Sequence, residues 1–526
     1  MSCLETIKNG KAHLGIELGS TRIKACLISD TLEPIASGGF SWENKLERGY
    51  WTYSLEEIHR GVRECYASLA DDVREKYGVT LTRVASVGIS GMMHGYLVFD
   101  ENWSLLTPFR TWRNTVTAEA SRLLTETFNF HVPQRWSASH LAQAIINGEE
   151  HVGRIRYLTT VAGYVHYLLT GRHEVGVCEA SGMFPLKNGE YDAERLEKFD
   201  SLFADKKLPF TLSKILPKIR SASDCTAVLT EEGASFLDLT GVLESGIPVC
   251  APEGDAGTGM VATNSVSAGT GNVSAGTSVF TTIVTDKTLT DVYYEIDCLN
   301  SPDGSPAFLI HGNNCCTELD SWVGMFSEFA ALMGYDADIS DVYSRLYENA
   351  MTAAPDCEGV VAFNYLSGEH ITGIETGRPM YFRVPDGKMT LAAFMRAQLS
   401  SSVAVMKLGV DLLREKEGIE PGTLTAHGGL FKVKGVAQTI LADALNATVS
   451  VSKTAGEGGA WGMALLAAYS VENNGVSLDK WLNDRVFSAS ETYTVEPTEA
   501  GVQGFNKYTD RYLASLKAEA MLGEVK

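Results

Sequence analysis

One aspartate stands among residues with almost no side chain, in the stretch PEGDAGTG at residues 252–259. Asp255 follows Gly254 and precedes Ala256 and Gly257, so the chain is open around its carboxylate. An approachable carboxylate suits proton transfer, because a general base must come within hydrogen-bond reach of the proton that it takes. Aspartate beside glycine is equally typical of a solvated turn. The stretch by itself leaves both interpretations open.

Two turns combine glycine with hydroxyl residues, GST at 19–21 and GTS at 276–278. A backbone without Cβ can bring several N–H groups close to one phosphate, and Ser or Thr hydroxyls add donors. The segment GNVSAGTS at 271–278 has the glycine spacing of a Walker A loop, but Thr277 stands where that loop requires lysine, which excludes a P-loop NTPase. Two ordinary hairpin turns are the alternative interpretation.

A third glycine loop, AHGGLF at 426–431, lies between a predicted strand and a predicted helix. Glycines there let a flat ring lie against the backbone, and the helix N-terminus favours anionic groups. A simple strand-to-helix turn is the other interpretation.

The elements that must position these residues alternate between strand and helix. HLGIELGSTRIKACLISD predicts a β-hairpin around the first turn. Residues 52–78 predict an amphipathic helix, which Ser54 and Glu57 open with a capping box. A strand that ends at Gly91 and a short strand after Gly95 follow. This alternation predicts an α/β domain with a site at the sheet ends.

The pattern begins again in the middle of the chain. NVSAGTSVFTTIVTD matches the first hairpin, with Gly276 on Gly19 and Thr277 on Ser20, which suggests two related halves. A long helix, the strand TLTAHGG, the helix GVAQTILADAL, the strand ATVSV and the helix GGAWGMALLAAYS follow. We predict two domains, residues 1–262 and 263–526, that share a cleft.

Length and charge narrow the function classes. A chain of 526 residues is too long for one hydrophobic core. The formal net charge of −21 disfavours nucleic acid and anionic lipid as partners. The N-terminal residues lack an apolar secretory core, and no apolar run is long enough to span a bilayer. Ten scattered cysteines without a C-x-x-C pair indicate reduced thiols and a cytoplasmic location.

The order of these landmarks resembles a family. IELGST…K, GISGMMHG, GD before SAGTS, then HGG and EGGAWGMALLAAY look like the FGGY carbohydrate kinases, and the likeness runs from about Leu14 to Tyr469. That family belongs to the actin-like, sugar-kinase and Hsp70-like ATPase group. The resemblance implies two actin-like (ribonuclease H-like) domains flanking a nucleotide and sugar cleft. MHG makes the chain most similar to the xylulokinase branch.

The resemblance also implies roles for single residues. Asp255 matches the aspartate that takes the proton of the sugar hydroxyl attacking the γ-phosphate of ATP. Met93 and His94 match residues bordering the sugar, and Trp112 matches a tryptophan near it. Glu17 lies where an acidic residue helps to hold Mg²⁺. The residues implied for ATP binding are Gly19, Ser20, Thr21, Gly276, Thr277, Gly428, Gly429 and Phe431.

Several residues depart from the family pattern and bear on the choice of sugar. Glu17 replaces the usual aspartate, which moves the carboxylate by one methylene. Met92 and Ala256 stand where amides are common, so two groups that could read sugar hydroxyls are missing. Phe431-Lys432 replaces small polar residues, and TWRNT lacks an acidic residue often found after the tryptophan. The reaction class is better specified than the substrate.

We therefore expect an ATP-dependent and Mg²⁺-dependent kinase of a small sugar, with a ketopentose such as D-xylulose as the first candidate and, from the family, a homodimer. Ribulose, a hexulose or a polyol such as erythritol are alternative substrates. A catalytically weakened sugar or nucleotide sensor would explain Glu17 and the missing amides, although Asp255 is retained and no basic helix-turn-helix segment is evident. An Hsp70-like ATPase would carry an added peptide-binding domain, which we do not expect here.

Overall fold

The structure, a computed structural model, describes residues 2–452, 458–488, 491–523 and 525. Within these residues the strands in chain order are β1 His13–Leu18, β2 Arg22–Ile28, β3 Pro34–Ser41, β4 Lys45–Glu47, β5 Tyr50–Thr52, β6 Ser86–Gly91, β7 Leu97–Phe99, β8 Tyr157–Thr159, β9 Glu174–Gly176, β10 Leu186–Lys187, β11 Glu190–Tyr191, β12 Lys218–Arg220, β13 Ala227–Val228, β14 Pro248–Val249, β15 Glu253–Gly254, β16 Thr270–Ala275, β17 Val279–Val284, β18 Ile296–Asn300, β19 Pro306–Gly312, β20 Val360–Phe363, β21 Met380–Arg383, β22 Thr423–Gly428, β23 Thr448–Ser452 and β24 Thr492–Val495.

The α-helices in the same residues are α1 Cys3–Lys8, α2 Leu55–Tyr77, α3 Ala118–Phe128, α4 Ser137–Ile146, α5 Val161–Thr170, α6 Val177–Ser181, α7 Ala193–Leu202, α8 Leu212–Ile215, α9 Glu231–Leu237, α10 Asp255–Ala262, α11 Cys316–Leu332, α12 Ile339–Ala350, α13 Leu391–Glu417, α14 Val436–Leu445, α15 Gly458–Glu472, α16 Leu478–Arg485 and α17 Glu499–Gly523. Short 3₁₀ turns cover Glu150–Arg154, Ala204–Lys206, Cys357–Gly359, His370–Thr372 and Gly429–Phe431.

The chain divides into two compact units, and the division is not a single cut. The first unit comprises Met1–Ser267, Asp291–Pro306 and Glu457–Ala489, and the remaining segments form the second. Our sequence boundary at 262/263 assigned 291–306 and 457–489 to the second domain, whereas the structure assigns both segments to the first unit. Helix α15 is apolar and buried along nearly its whole length, and it finds its cover on the first sheet. Glu457 of the predicted terminal motif lies outside the described residues.

The first unit is built on a sheet with the strand order β13-β14-β6-β1-β2-β3, and β15 also pairs with β6. The predicted hairpin is present as the antiparallel pair β1 and β2, and β6 runs parallel to β1. In this register Glu17 lies opposite Lys24 on one side and Ser90 on the other. The ends of β1, β6 and β15 therefore meet at one edge of the sheet, immediately before the predicted phosphate turn at Gly19, the predicted sugar contacts Met93 and His94, and the predicted base Asp255.

Helices cover both faces of this sheet at close range. A Cβ on Gly15 of β1 would lie 2.2 Å from the carbonyl oxygen of Ala460 in α15. A Cβ on Gly38 of β3 would lie 2.3 Å from the carbonyl oxygen of Cys65 in α2. Only glycine permits such contact between strand and helix backbones. β1 is accordingly buried on both faces.

The second unit repeats this strand pairing. Its strands lie in the order β19-β17-β16-β22-β23-β24, with β16 antiparallel to β17 and parallel to β22. In the first unit β1 is likewise antiparallel to β2 and parallel to β6. The shared pairing agrees with the two related halves suggested by the glycine hairpins.

The long helices follow their sequence signals. Ser54 and Glu57 form both hydrogen bonds of the predicted capping box at the start of α2, and Gly78 ends the helix with a φ of 69°. The predicted long helix of the second half is α13, which is buried along most of its length. Among the described residues, no helix is both long and apolar enough to cross a membrane.

Candidate active site

Asp255 is the first residue of α10 and follows directly on β15. β15 pairs with the last residues of β6, Glu253 with Ser90 and Gly254 with Gly91. The sheet edge therefore holds the backbone that carries Asp255. Its Oδ1 accepts a hydrogen bond of 2.9 Å from the N–H of Ala256, and solvent reaches the side chain. The carboxylate thus accepts a hydrogen bond from the backbone and is also accessible to solvent.

The surroundings of Asp255 raise its pKa to about 7. Protein atoms surround the accessible carboxylate closely enough to remove much of its hydration, and the negative charge of Glu17 adds to the shift. Backbone N–H groups of Ala256 and Met93 oppose it. A base with a pKa near the working pH combines a useful ionised fraction with a useful affinity for the proton.

His94 follows β6 in an unusual backbone conformation and is buried. Its φ is 70°, a left-handed value that few residues other than glycine adopt. Nδ1 lies 2.9 Å from the carbonyl oxygen of Gly182 and must donate, because a carbonyl can only accept. Burial and the positive charge of Arg135 lower the pKa of His94 to about 3. The ring is therefore neutral, and Nε2 is a hydrogen-bond acceptor.

Met93 packs into a space that two glycines leave open. A Cβ on Gly254 would lie 2.3 Å from Cγ of Met93, and a Cβ on Gly182 would lie 2.7 Å from its Cε. The structure thus brings Met93, His94 and the turn of Asp255 together. Trp112, by contrast, is 39% exposed on a loop, and its predicted place beside a sugar stays a prediction.

In the turn of the first hairpin, the backbone carbonyl oxygens accept hydrogen bonds from other parts of the protein. The indole N–H of Trp42 donates to Gly19 at 2.7 Å, and the hydroxyl of Tyr53 donates to Ser20 at 2.5 Å. The carbonyl of Thr21 accepts from the backbone N–H of Trp42 at 3.2 Å. Ser20 and Thr21 are exposed, so the turn presents hydroxyl donors to solvent, as a phosphate contact requires.

Glu17 lies in β1, two residues before this turn, and its carboxylate contacts the start of α15. A Cβ on Gly459 would lie 2.3 Å from Oε1 of Glu17, and the backbone of Ala460 hydrogen-bonds its carboxylate. Burial raises the pKa of Glu17, while the charge of Lys24 acts in the opposite direction. No group of three or more His, Cys, Asp or Glu within the described residues could hold a metal by itself. Mg²⁺ usually takes one or two carboxylates and completes its shell with phosphates and water, so Glu17 fits such a role.

The turn of the second hairpin is arranged in the same way within the second unit. The N–H groups of Cys315 and Cys316, at the start of α11, donate to the carbonyls of Thr277 and Gly276, each at 3.0 Å. Gly276 and Thr277 are exposed. As in the first turn, the carbonyl oxygens accept hydrogen bonds and the hydroxyl side chain faces solvent.

The third glycine loop ends β22 in the second unit. Gly428 has a φ of 106°, and a Cβ there would lie 2.1 Å from the carbonyl oxygen of Ala275. Gly429 is exposed, and a Cβ there would meet no atom within 4 Å. Phe431 is only 4% exposed, so its ring belongs to the core. Both glycines are exposed, and the space around Gly429 is open, whereas Phe431 of the same loop is buried.

Sequence reasoning missed two buried carboxyls next to Asp255. Glu253 is 1% exposed, and Glu179 is completely buried. Burial raises the pKa of Glu253 to about 7 and that of Glu179 well above its ordinary value. Glu253 could have been noticed as a second carboxylate directly before Gly254, but nothing in the sequence places Glu179 beside it.

Two family models match the segments of the chain that contain these residues. Residues 12–262 match the N-terminal domain, and residues 271–471 the C-terminal domain, of the FGGY family of carbohydrate kinases. The chain belongs to this family and is a carbohydrate kinase.

The chain is also similar to individual carbohydrate kinases in sequence and in structure. The chain is 25% identical to a xylulose kinase of Haemophilus influenzae, over 96% of this chain and 99% of the relative. The crystal structure of a xylulose kinase from Rhodospirillum rubrum superposes with a TM-score of 0.77 at 16% identity, covering 97% of this chain and 99% of the other. A gluconate kinase from Lactobacillus acidophilus gives a TM-score of 0.76 at 16% identity, covering 98% and 99%. The fold is thus common to kinases of different sugars.

Proposed function

We propose that this carbohydrate kinase transfers the γ-phosphoryl group of ATP to a hydroxyl of a small ketose, with D-xylulose as the first candidate. The observation that carries the proposal is the site of the first unit, where Met93 packs against both Gly254, which precedes the accessible Asp255, and Gly182, which accepts the hydrogen bond of His94. The similarity to xylulose kinases in sequence supports the choice of a pentulose.

Asp255 is proposed as the general base. Its carboxylate takes the proton of the attacking hydroxyl as the bond between that oxygen and the γ-phosphorus forms and the bond to the β-phosphate oxygen breaks. The pKa of about 7 leaves a large ionised fraction at neutral pH and a carboxylate basic enough to assist the hydroxyl.

His94 is proposed to orient the sugar. Its neutral ring holds Nδ1 against Gly182 and offers Nε2 to a sugar hydroxyl. Met93 supplies an apolar surface beside it, and we keep Trp112 as a proposed sugar contact of the same unit. The exposed position of Trp112 would let its ring pack on a sugar face.

Phosphate and nucleotide contacts are proposed at the glycine loops. In the first unit Gly19, Ser20 and Thr21 offer hydroxyl and backbone donors. In the second unit Gly276 and Thr277 do the same, and Gly428 and Gly429, with Phe431 in the same loop, offer a surface for adenosine. Glu17 would hold Mg²⁺, which, when bound, supplies positive charge to the phosphates.

The setting of the reaction is proposed to be the cytoplasm, and the active form a homodimer as expected from the family. All ten cysteines lie in the described residues and none of them forms a disulfide, which supports a reducing compartment.

The decisive experiment measures ADP release with a panel of pentuloses, hexuloses, polyols and aldonates at fixed ATP and Mg²⁺. We expect kcat/KM for one ketopentose to exceed that for every other compound by at least about tenfold, since a site that hydrogen-bonds a hydroxyl rejects analogues that misplace it. Preference for gluconate or a polyol would overturn the substrate. Release of ADP that no sugar stimulates would overturn the proposed reaction.

A further inference from the structure

Glu253 is a buried carboxylate next to the catalytic turn that has no part in the proposed phosphoryl transfer. It lies in β15, two residues before Asp255, and is 1% exposed. Burying a carboxylate is costly unless hydrogen bonds replace the lost water. The groups that replace this water therefore indicate what the residue does.

Three backbone N–H groups surround the carboxylate of Glu253. The N–H of Glu179 donates at 3.0 Å, that of Gly254 at 3.3 Å and that of Cys178 at 3.4 Å. Cys178 and Glu179 lie in the first turn of α6, where the N-cap residue Gly176 provides no side-chain hydrogen bond. Glu253 thus satisfies N–H groups that the helix itself leaves without partners.

β15 and α6 are packed so closely that the glycines between them leave no space for an added Cβ atom. The N–H of Gly176 donates to the carbonyl of Pro252 at 2.7 Å, and a Cβ on Gly176 would lie 2.2 Å from Oε1 of Glu253. On the other side, a Cβ on Gly254 would lie 2.7 Å from Oε2 of Glu179. The backbone before Asp255 is therefore fixed against α6.

The other end of α6 holds the second residue of the site. Gly182 directly follows the helix, and its carbonyl accepts from Nδ1 of His94. We propose that Glu253 is a positioning residue, which clamps the turn of Asp255 to α6 and thereby sets the base relative to His94. The proposal rests on the proposed function insofar as Asp255 is the base and His94 the sugar contact.

The clamp needs two acceptor oxygens. A glutamine at this position keeps the volume but turns an NH₂ group toward a backbone N–H, so at least one hydrogen bond is replaced by a donor–donor contact. In Glu253→Gln we expect kcat to fall about tenfold to a hundredfold, because a displacement near 1 Å has that effect on a catalytic group. The KM for the sugar should rise, and the KM for ATP should stay unchanged.

Glu174→Gln is the matched control. Glu174 is also buried in the first unit, at 5% exposure, but its carboxylate pairs with Arg220. This variant should lower the melting temperature while leaving kcat and both KM values within about twofold. Glu253→Gln with kcat and sugar KM equal to those of the control would overturn the clamp, as would equal changes in the KM for ATP and for the sugar.

A second variant tests the clamp in case Glu253→Gln does not fold. Glu253→Asp keeps the charge but falls one methylene short of α6, so its kcat should lie between those of the wild type and Glu253→Gln. A kcat for Glu253→Asp equal to that of the wild type would contradict the need for contact with α6.

Hydrogen exchange separates this proposal from the function on which it rests. If the wild type phosphorylates no sugar on the panel, the proposed function fails, and exchange still tests the clamp. Loss of the clamp should accelerate exchange of the amides in α6 and in residues 92–95, relative to both the wild type and Glu174→Gln. Unchanged exchange in α6 would overturn the clamp whatever the activity.

Discussion

The Nδ1 of His94 donates to the carbonyl oxygen of Gly182 across 2.9 Å, and this single hydrogen bond decides what the histidine can do. The bond fixes the tautomer, so Nε2 carries a lone pair. Burial keeps the ring neutral by lowering its pKa to about 3. His94 can therefore accept a hydrogen bond from a hydroxyl at any pH at which the protein works, but it cannot serve as the proton acceptor in the reaction.

Replacing His94 should weaken sugar binding without touching the nucleotide. His94→Asn suits the left-handed backbone, which asparagine tolerates better than most residues, and removes the acceptor Nε2. One lost hydrogen bond is worth about 1 kcal/mol, so the KM for the sugar should rise between about fivefold and tenfold. Initial-rate kinetics with sugar and ATP varied in turn would show this. An unchanged sugar KM would remove His94 from the sugar site.

Replacing Asp255 should abolish turnover and spare ATP binding. Asp255→Asn keeps the size of the side chain but cannot take a proton, and general-base catalysis contributes roughly 10²-fold to 10⁴-fold. Asp71→Asn, at an exposed position on α2, is the control and should match the wild type. Calorimetric titration with ATP and a coupled assay for ADP would separate the two effects. A variant within tenfold of wild-type kcat would exclude Asp255 as the base.

The pH profile should report the raised pKa of Asp255. The partial loss of hydration and the charge of Glu17 favour the protonated form, so the carboxyl carries its proton below about pH 7 and loses it above. Because only the ionised form can act as a base, kcat/KM should fall as the pH drops through about 7. The residual turnover of Asp255→Asn, measured over the same range, should lack this decline. A wild-type profile that is flat between pH 6 and 8 would contradict the assignment.

Two adjacent glycines should give opposite results. Gly428→Ala forces a φ of 106° on a residue with a Cβ and places that atom 2.1 Å from a carbonyl oxygen, so it should destabilise the second unit by at least about 1–3 kcal/mol. Gly429→Ala meets no atom within 4 Å and should leave the melting temperature unchanged. Its methyl group would project from the proposed adenosine surface, so ATP affinity should fall. Thermal melts and ATP titrations of both variants test the pair. Normal ATP affinity in Gly429→Ala would contradict the proposed adenosine contact at this loop.

The contact between β1 and α15 should be equally sensitive to one methyl group. Gly15→Ala would place Cβ 2.2 Å from the backbone of Ala460, and overpacking of this kind costs about 1–3 kcal/mol. Gly153→Ala, also in the first unit, meets no atom within 4 Å and is the control. Urea unfolding should show a lower midpoint for Gly15→Ala alone. Equal midpoints would mean that α15 does not depend on this close approach.

Much of the fold was predictable because its signals are local. The capping box at Ser54 and Glu57 and the two glycine hairpins specify their elements through neighbouring residues, and the structure confirms each of them. The boundary at 262/263 falls within five residues of the end of the first segment at Ser267. The return of residues 457–489 to the first unit was not predictable, because the periodicity of a buried helix does not reveal which sheet it covers.

The sequence by itself determined the class of chemistry: glycines around one aspartate, paired glycine turns, and an order of motifs that both family models match. Only the tertiary structure decided the state of the groups involved. The tautomer of His94 depends on Gly182, 88 residues away, and the raised pKa of Asp255 depends on Glu17 and on the surrounding protein atoms that remove part of its hydration. Glu253 is a candidate clamp because folding places its hydrogen-bond donors on α6 next to it. Protonation and hydrogen bonding follow from which atoms surround a group, and the chain brings those atoms together from distant positions only by folding.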